Sequence, residues 1–459
     1  MATHVLSLQI GSTNIPLTSS NSILLDVDLP SPALQLTVRG GEIHGSERTL
    51  VTATIRCLFF GSTGADVQSK LQSIERLLEL CAQRQATRTG DRGYLYLRLG
   101  PDTETWRSEI VSGIVQADNP LRTLNVPAVD VFIVCTLRPF WETVVERELP
   151  LDNSSAGAKA TGGVTIYNHD DATSGHDNWT DIAAADVAGN VPAPLRIQIK
   201  NTSGVDLATR NFYQSNNAFH VPTTFPHILE GEAAPWATPT ADANSSGGYY
   251  GRRSWLTSID HTVGLFSWDL SAALLAGGAG GFFRVLCRFR ATPPSGMEFQ
   301  LRLMFPAGSY AQTALWSGPK FTSTDKPLQD LGVIQLPPGI ASPSHYEIAL
   351  VLSAAYTGTS QLDIDFLQIT PANATKHFIQ VGYLIPPNDF IVNDGPENRV
   401  YNVDAATGLQ VNIFSGYSSV LNVWPNRDQR LIFLHDDSSM TISRTWLVQA
   451  FYRPRRLTI

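Results

Sequence analysis

The residues of this chain best suited to chemistry by type and spacing are Glu230, Glu232, Asp363 and Asp365. They lie in His227-Ile228-Leu229-Glu230-Gly231-Glu232 and in Leu362-Asp363-Ile364-Asp365-Phe366-Leu367. Residues two apart on a strand share a face, so each acidic pair is expected to point one way. The two runs open and close one segment, 225–371. The first and last strands of a compact β-sandwich are often neighbours, which would gather the four carboxylates. Gathered carboxylates repel one another and call for a cation, and an all-oxygen set suits Ca2+. The plainer alternative is that these acids face solvent.

Sugar binding needs aromatic platforms with a few fixed polar groups. Within 225–371 the candidates are Tyr249, Tyr250, Trp255 and Trp316. Tyr249 and Tyr250 follow Ser245-Ser246-Gly247-Gly248, so at least one of them should face outward. Trp268, in Leu265-Phe266-Ser267-Trp268-Asp269, reads as core, and Trp236 stands between prolines in a loop. Catalytic readings fare worse. Asp363 and Asp365 sit on one strand and do not face each other across a cleft, as a glycosidase pair must. The chain has no Gly-x-Ser-x-Gly elbow and no His-Glu-x-x-His helix. Ala276-Gly277-Gly278-Ala279-Gly280-Gly281 precedes a strand and reads as a turn. His169 and His176 flank Asp170-Asp171, which reads as a solvated loop. No catalysis is expected.

The elements around these residues are nearly all strands. Val5 to Ile10, Leu34 to Val38, Thr49 to Phe60, Tyr94 to Leu99, Glu109 to Gln116 and Ala128 to Leu137 have strand character. One long helix is expected at 65–83, where Val67, Leu71, Ile74, Leu78 and Cys81 form an apolar stripe, with Ser62 or Thr63 as its cap. Pro139 ends the first unit, and Phe140 and Trp141 supply an apolar plug. Residues 152–163 read as a linker. Leu195 to Asn201, Phe212 to Val221, His377 to Leu384, Arg399 to Val403, Leu409 to Phe414, Arg430 to Leu434 and Trp446 to Tyr452 are further strands.

Two resemblances rest on these stretches. The Glu-x-Glu strand at Glu230 and Glu232, the Ser246-Gly247-Gly248-Tyr249 turn and the closing Ile364-Asp365-Phe366 strand resemble the jelly-roll carbohydrate-binding modules. In that family such acids hold a structural calcium, which implies Glu230, Glu232, Asp363 and Asp365 as ligands here. The β domain with one helix, ending in Leu137-Arg138-Pro139-Phe140-Trp141-Glu142, is similar to the distal tail and baseplate-hub proteins of long-tailed bacteriophages. The ending Tyr452-Arg453-Pro454-Arg455 also looks like the second domain of phage tail proteins. That family's first domain forms rings that stack on the tail tube, and insertions in its second domain bind host surfaces.

The expected fold is mainly β. Residues 1–148 would form a ring-forming β domain with a flanking helix. Residues 149–222 and 372–459 would form one split β-sandwich, and 225–371 an inserted jelly roll; the alternative is three domains in series. The family implies a virion part, made in the host cytoplasm and joined into a sixfold ring that contacts tube and tail-tip proteins. Arg138, Trp141, Arg453 and Arg455 are the candidate ring-interface residues, since arginine suits bidentate pairing across a subunit boundary; the plainer alternative for the arginines is a solvated end. A host-surface glycan would be the partner of the insert. The alternative is a non-viral carbohydrate-binding protein or an accessory module of a glycan-processing enzyme.

Composition bounds these readings. The chain has 459 residues, of which 16% are charged, with 35 Gly and 28 Pro, a turn-rich β composition. Its net charge of -8 argues against a nucleic-acid partner, which wants a basic face. Cys57, Cys81, Cys135 and Cys287 lie far apart in apolar runs and read as buried free thiols. No run of some 18 apolar residues is present, so no membrane insertion is expected. Met1 to Leu6 shows no basic stretch followed by an apolar core, so no secretory leader is expected. The Asn-x-Ser/Thr triplets at Asn153, Asn178, Asn201, Asn244 and Asn373 then read as chance.

Overall fold

The computed structural model describes residues 5–458 except 21, 40–41, 101–102, 118–127, 155–158, 160, 169–174, 207–208, 219–226, 236, 243–244, 246–248, 256–257, 260–263, 271–280, 292, 306–313, 323–327, 337–345, 353–354, 359, 380–384 and 438–444. The Gly-rich run at 276–280, the turn at 246–248, His169 and Trp236 therefore lie outside the described residues. The chain forms two compact units. The first holds Met1–Glu146, Ala188–Val191 and Arg453–Ile459, and the second Arg147–Val187 and Pro192–Tyr452.

Alternation builds the first unit. Strand Val51–Phe60 buries Val51, Ala53, Ile55, Cys57 and Phe59, and Ala128–Leu137 buries Val129, Val131, Ile133, Cys135 and Leu137. The antiparallel order is Thr13–Pro16, Val5–Ile10, Gly93–Arg98, Trp106–Ala117, Ala128–Leu137, Val51–Phe60, Ser22–Asp28. Helix Gly64–Thr87 lays Val67, Leu71, Ile74, Leu78 and Cys81 against this sheet. Thr63 caps it: its hydroxyl accepts from the Asp66 amide at 3.2 Å, and the Asp66 carboxylate accepts in return from the Thr63 amide at 3.3 Å. The helix runs four residues past the expected end, because nothing breaks it before Arg88 turns left-handed at φ 60°. Close approach depends on Gly113, where a Cβ would stand 2.8 Å from the Val134 carbonyl and 2.9 Å from Leu78.

In the second unit, strand Arg196–Asn201 lies between Trp446–Tyr452 and Phe390–Asp394. The sheet continues through Arg399–Val403, Gln410–Ser418, Thr375–Ile379, Thr209–Asn216, Gln429–Asp437 and Trp179–Ile182. It closes over one core, in which Ile197, Ile199, Phe212, Phe378, Ile391, Phe433, Trp446 and Val448 meet. Phe212 stacks on Phe378 at 5.1 Å and meets Trp446 edge-on at 5.6 Å. Within this unit, residues on both sides of the 227–371 segment thus share one interior.

Between them, the described strands from His227 to Pro371 pair only with one another. Thr238–Ala241, Tyr249–Trp255, Ser360–Pro371, Phe282–Phe289 and Leu328–Gln335 make one sheet, with His227–Glu230 also on Ser360–Pro371. Gly264–Asp269, Glu347–Leu352, Glu298–Met304 and Ala314–Thr322 make the other. Leu265, Phe266, Trp268, Phe283, Phe289, Phe299 and Ile364 fill the space between. On the opposite face, Phe366, Leu286 and Leu328 join Tyr213 and Leu434 in a separate apolar cluster. That cluster seats the 227–371 segment on the rest of its unit.

Candidate functional site

Strand His227–Glu230 is hydrogen-bonded to Ser360–Pro371 with Glu230 opposite Phe366, so the two acidic runs are neighbours. Beyond that, the expected geometry changes. The strand stops at Glu230, and Gly231–Ala233 forms a 3-10 turn, so Glu230 and Glu232 do not share a strand face. A Cβ at residue 231 would collide with the Ile364 carbonyl oxygen, which only glycine avoids. The Glu230 carbonyl accepts from the Trp268 indole at 2.7 Å, which pins the turn to the sandwich interior.

The aspartates are taken by arginines. Arg252 sits opposite Asp363 in register and donates to both its oxygens at 2.9 Å. Gln361 adds a 3.3 Å bond to the same carboxylate. Asp365 is fully buried with the Arg288 guanidinium 3.5 Å away. Arg288 also donates to the Asn168 carbonyl at 2.9 Å. Glu232 keeps a buried oxygen with no hydrogen-bond partner, and burial pushes its carboxyl up.

This donor set does not fit one calcium ion shared by all four acids. A hard cation needs several oxygens converging on it, and here two carboxylates already face guanidinium groups. Among the described residues, no group of three or more His, Cys, Asp or Glu could hold a metal.

Of the expected sugar platforms, Tyr249 is exposed. Tyr250 turns inward instead, its hydroxyl accepting from Arg252 at 2.5 Å. Trp316 is partly buried against the sandwich core. The side chain of Trp255 lies outside the described residues.

The residues expected at a ring interface occupy the first unit. Trp141 is buried in its core. Glu142 is the centre of a charged bridge: Arg107 donates to its Oε1 at 2.9 Å and Arg455 to its Oε2 at 3.1 Å. Burial alone would raise the Glu142 carboxyl, but Arg455 and Arg107 outweigh it and hold it below the ordinary value. Arg453 donates to the Val144 carbonyl, and burial lowers its guanidinium. Arg138 remains half-exposed, reaching Gln85 at 3.3 Å. Strand Arg455–Arg456 pairs with Trp141–Thr143, matching Arg455 to Glu142 and Arg456 to Trp141.

No family model and no curated protein sequence matches the chain. Solved structures align along nearly its whole length. Among the solved structures it is similar to are phage hub and baseplate proteins. One is the SPP1 Dit (gp 19.1) protein, described as a paradigm of the hub adsorption apparatus in phages that infect Gram-positive bacteria, at 8% identity and TM-score 0.29, covering 98% of this chain and 99% of that one. Another is the phage P2 baseplate in its activated conformation with Ca, at 7% identity and TM-score 0.32, covering 100% of both. The P2 baseplate with Sr aligns at 7% identity and TM-score 0.28 over the same full lengths.

Arg107, Arg252 and Arg288 were not singled out in the sequence. Arg288 carries a signal, since it interrupts a strand otherwise rich in apolar residues, where a charge needs a partner; Arg107 and Arg252 lie among other polar residues and carry none.

Proposed function

We propose that this chain is a structural, non-enzymatic subunit of the tail tip of a long-tailed bacteriophage, of the distal-tail or baseplate-hub kind. The observation that carries the reading is the pairing of two motifs. Leu137-Arg138-Pro139-Phe140-Trp141-Glu142 and Tyr452-Arg453-Pro454-Arg455 each resemble phage tail proteins, and they meet strand to strand around Glu142. Strand Arg455–Arg456 thereby belongs to the same compact unit as Val5–Ile10. A sixfold ring of identical chains needs head-to-tail contacts between two different surfaces. Among the described residues, the sheet of the first unit has two different strands at its edges, Thr13–Pro16 and Ser22–Asp28, and the second exposes Ile23 and Leu25. The segment 227–371, with Tyr249 exposed, is the part displayed for a host-surface glycan.

Negative-stain imaging and native mass of the purified chain test the hub reading, together with an antibody against 227–371 applied to phage particles. A closed ring of six and label confined to the tail tip are expected. A monomer at micromolar concentration and particles without label at the tip refute it. Binding to host cell-wall polysaccharide tests the glycan role separately: Tyr249→Ala should weaken it, and no binding by the native chain removes that role while leaving the hub standing.

A further inference from the structure

Lys376 is a buried charge without an evident reason. It lies on strand Thr375–Ile379, beside Phe378 of the sandwich core and opposite Gln214. Its exposure is 0%, and among the described residues it makes no ion pair. Its Nζ instead donates to the side-chain amide oxygen of Asn398, at 3.4 Å. An isolated ammonium in such a place costs several kcal/mol or gives up its proton. Burial lowers the amine to about 8, against the pull of Asp394.

Asn398 is held in place by a tight hairpin between Phe390–Asp394 and Arg399–Val403. Its φ is 48°, and its amide donates to the Gly395 carbonyl at 3.1 Å. Asp394 begins the same turn. Its Oδ1 accepts from the Glu397 amide at 3.1 Å, and Arg399 stands 3.8 Å from Oδ2. Burial nevertheless pushes the Asp394 carboxyl up, Glu397 adding to it, while Arg399 and Arg196 pull it down. Both shifts favour uncharged forms, an amine and a carboxylic acid. A buried amine and a buried acid thus stand beside the primary amide of Asn398, which sits on an exposed turn, and amine, amide and acid are the parts needed for amide exchange.

We propose that Lys376 and Asn398 join in an intramolecular isopeptide bond, with Asp394 as the acid–base group. Lys376 Nζ attacks Asn398 Cγ while the Asp394 carboxyl protonates the amide oxygen. The Nζ–Cγ bond forms and the Cγ–Nδ2 bond breaks. One proton passes from Nζ through Asp394 to Nδ2, which leaves as ammonia. An amide replaces an amide, so no oxidant or other reactant is needed. The bond ties strand Thr375–Ile379 to the Asp394–Arg399 hairpin across the sandwich, and a particle part that works outside cells gains a covalent brace.

Intact-mass and digest analysis of the full-length protein test this. The native chain should weigh one ammonia less than its sequence and yield a branched peptide joining Lys376 to Asn398. Lys376→Met and Asn398→Ala should each restore the full mass and abolish the branch. Asp394→Asn, which keeps both joined groups, should leave the chain unbranched. A native chain of full mass with the two residues in separate peptides overturns the proposal. So does loss of ammonia without a branched peptide, the mark of a succinimide at Asn398. A branch that persists in Asp394→Asn removes the role given to Asp394.

Discussion

Glu142→Gln is the sharpest probe of how the two motifs close the first unit. The change keeps the side chain's volume and removes its charge. Glu142, Arg107 and Arg455 are 15, 16 and 19% exposed, so the bridge stands near the buried end of the range for ion pairs. Exposed pairs contribute ~0–1 kcal/mol, and breaking a buried one costs ~3–5 kcal/mol because the partner charge stays behind. Here two guanidinium groups would stay behind, and the remaining exposure trims the cost to about 3 kcal/mol. That is on the order of a hundredfold in the opening of strand Arg455–Arg456 from Trp141–Thr143. The chain holds more than one unit, so a single unfolding free energy is not defined, and amide hydrogen exchange at these five residues is the assay. The sign with pH follows from the depressed carboxyl. Its stabilisation is present above the ordinary glutamate range, near ~4.3, and is lost as pH falls through the lower folded value. The native chain should therefore lose protection there on acidification, and Glu142→Gln should not show that loss. A variant whose protection at neutral pH falls by less than about threefold would refute the reasoning.

Burial raises the thiols of Cys57 and Cys135 to about 12 and that of Cys81 to about 11, and Cys287 is also raised. All four should resist iodoacetamide in the native chain and react together in denaturant; rapid labelling of any one without denaturant contradicts the packing. Gly231→Ala should destabilise the 227–371 segment by roughly 3 kcal/mol, since the colliding atom is backbone and cannot swing away. Limited proteolysis of the variant should cut within that segment first, and native-like resistance counts against the turn described. Chelation with EGTA should leave the thermal unfolding curve unchanged; a transition that rises with added Ca2+ would show that the carboxylates do converge on an ion.

The strands and the helix were legible because alternation and the three-to-four spacing depend only on local sequence. Arg196–Asn201 and Trp446–Tyr452 each bury every second residue, and that is enough to make them candidates for a common core. The carboxylates were not legible in the same way, and the reason is register. Arg288 pairs with Phe366 while Phe289 pairs with Ile364, so Asp365 is an extra residue in the strand. From that bulge onward the rule of two no longer assigns faces as it does before it. Core positions run Leu362 and Ile364 before it and Leu367 and Ile369 after it, so Phe366 joins the outer cluster and Asp365 stands on that same side, beside Arg288. The partner of Asp363 depends likewise on register, which places Arg252 opposite it from more than a hundred residues away.

In a chain with so few charges, a buried carboxylate must be neutralised, and two kinds of cation can do it. A metal ion demands that several acids converge, whereas an arginine needs only one acid and the right register. Glu-x-Glu and Asp-x-Asp spacing satisfies the first condition on paper. The turn at Gly231 undoes that convergence for the glutamates, and Arg252 and Arg288 meet the second condition for the aspartates instead. The same logic bears on Lys376: its hydrogen bond goes to the Asn398 amide while Asp394 acts on it only through its charge, and a buried amine in that position is placed to react rather than to pair.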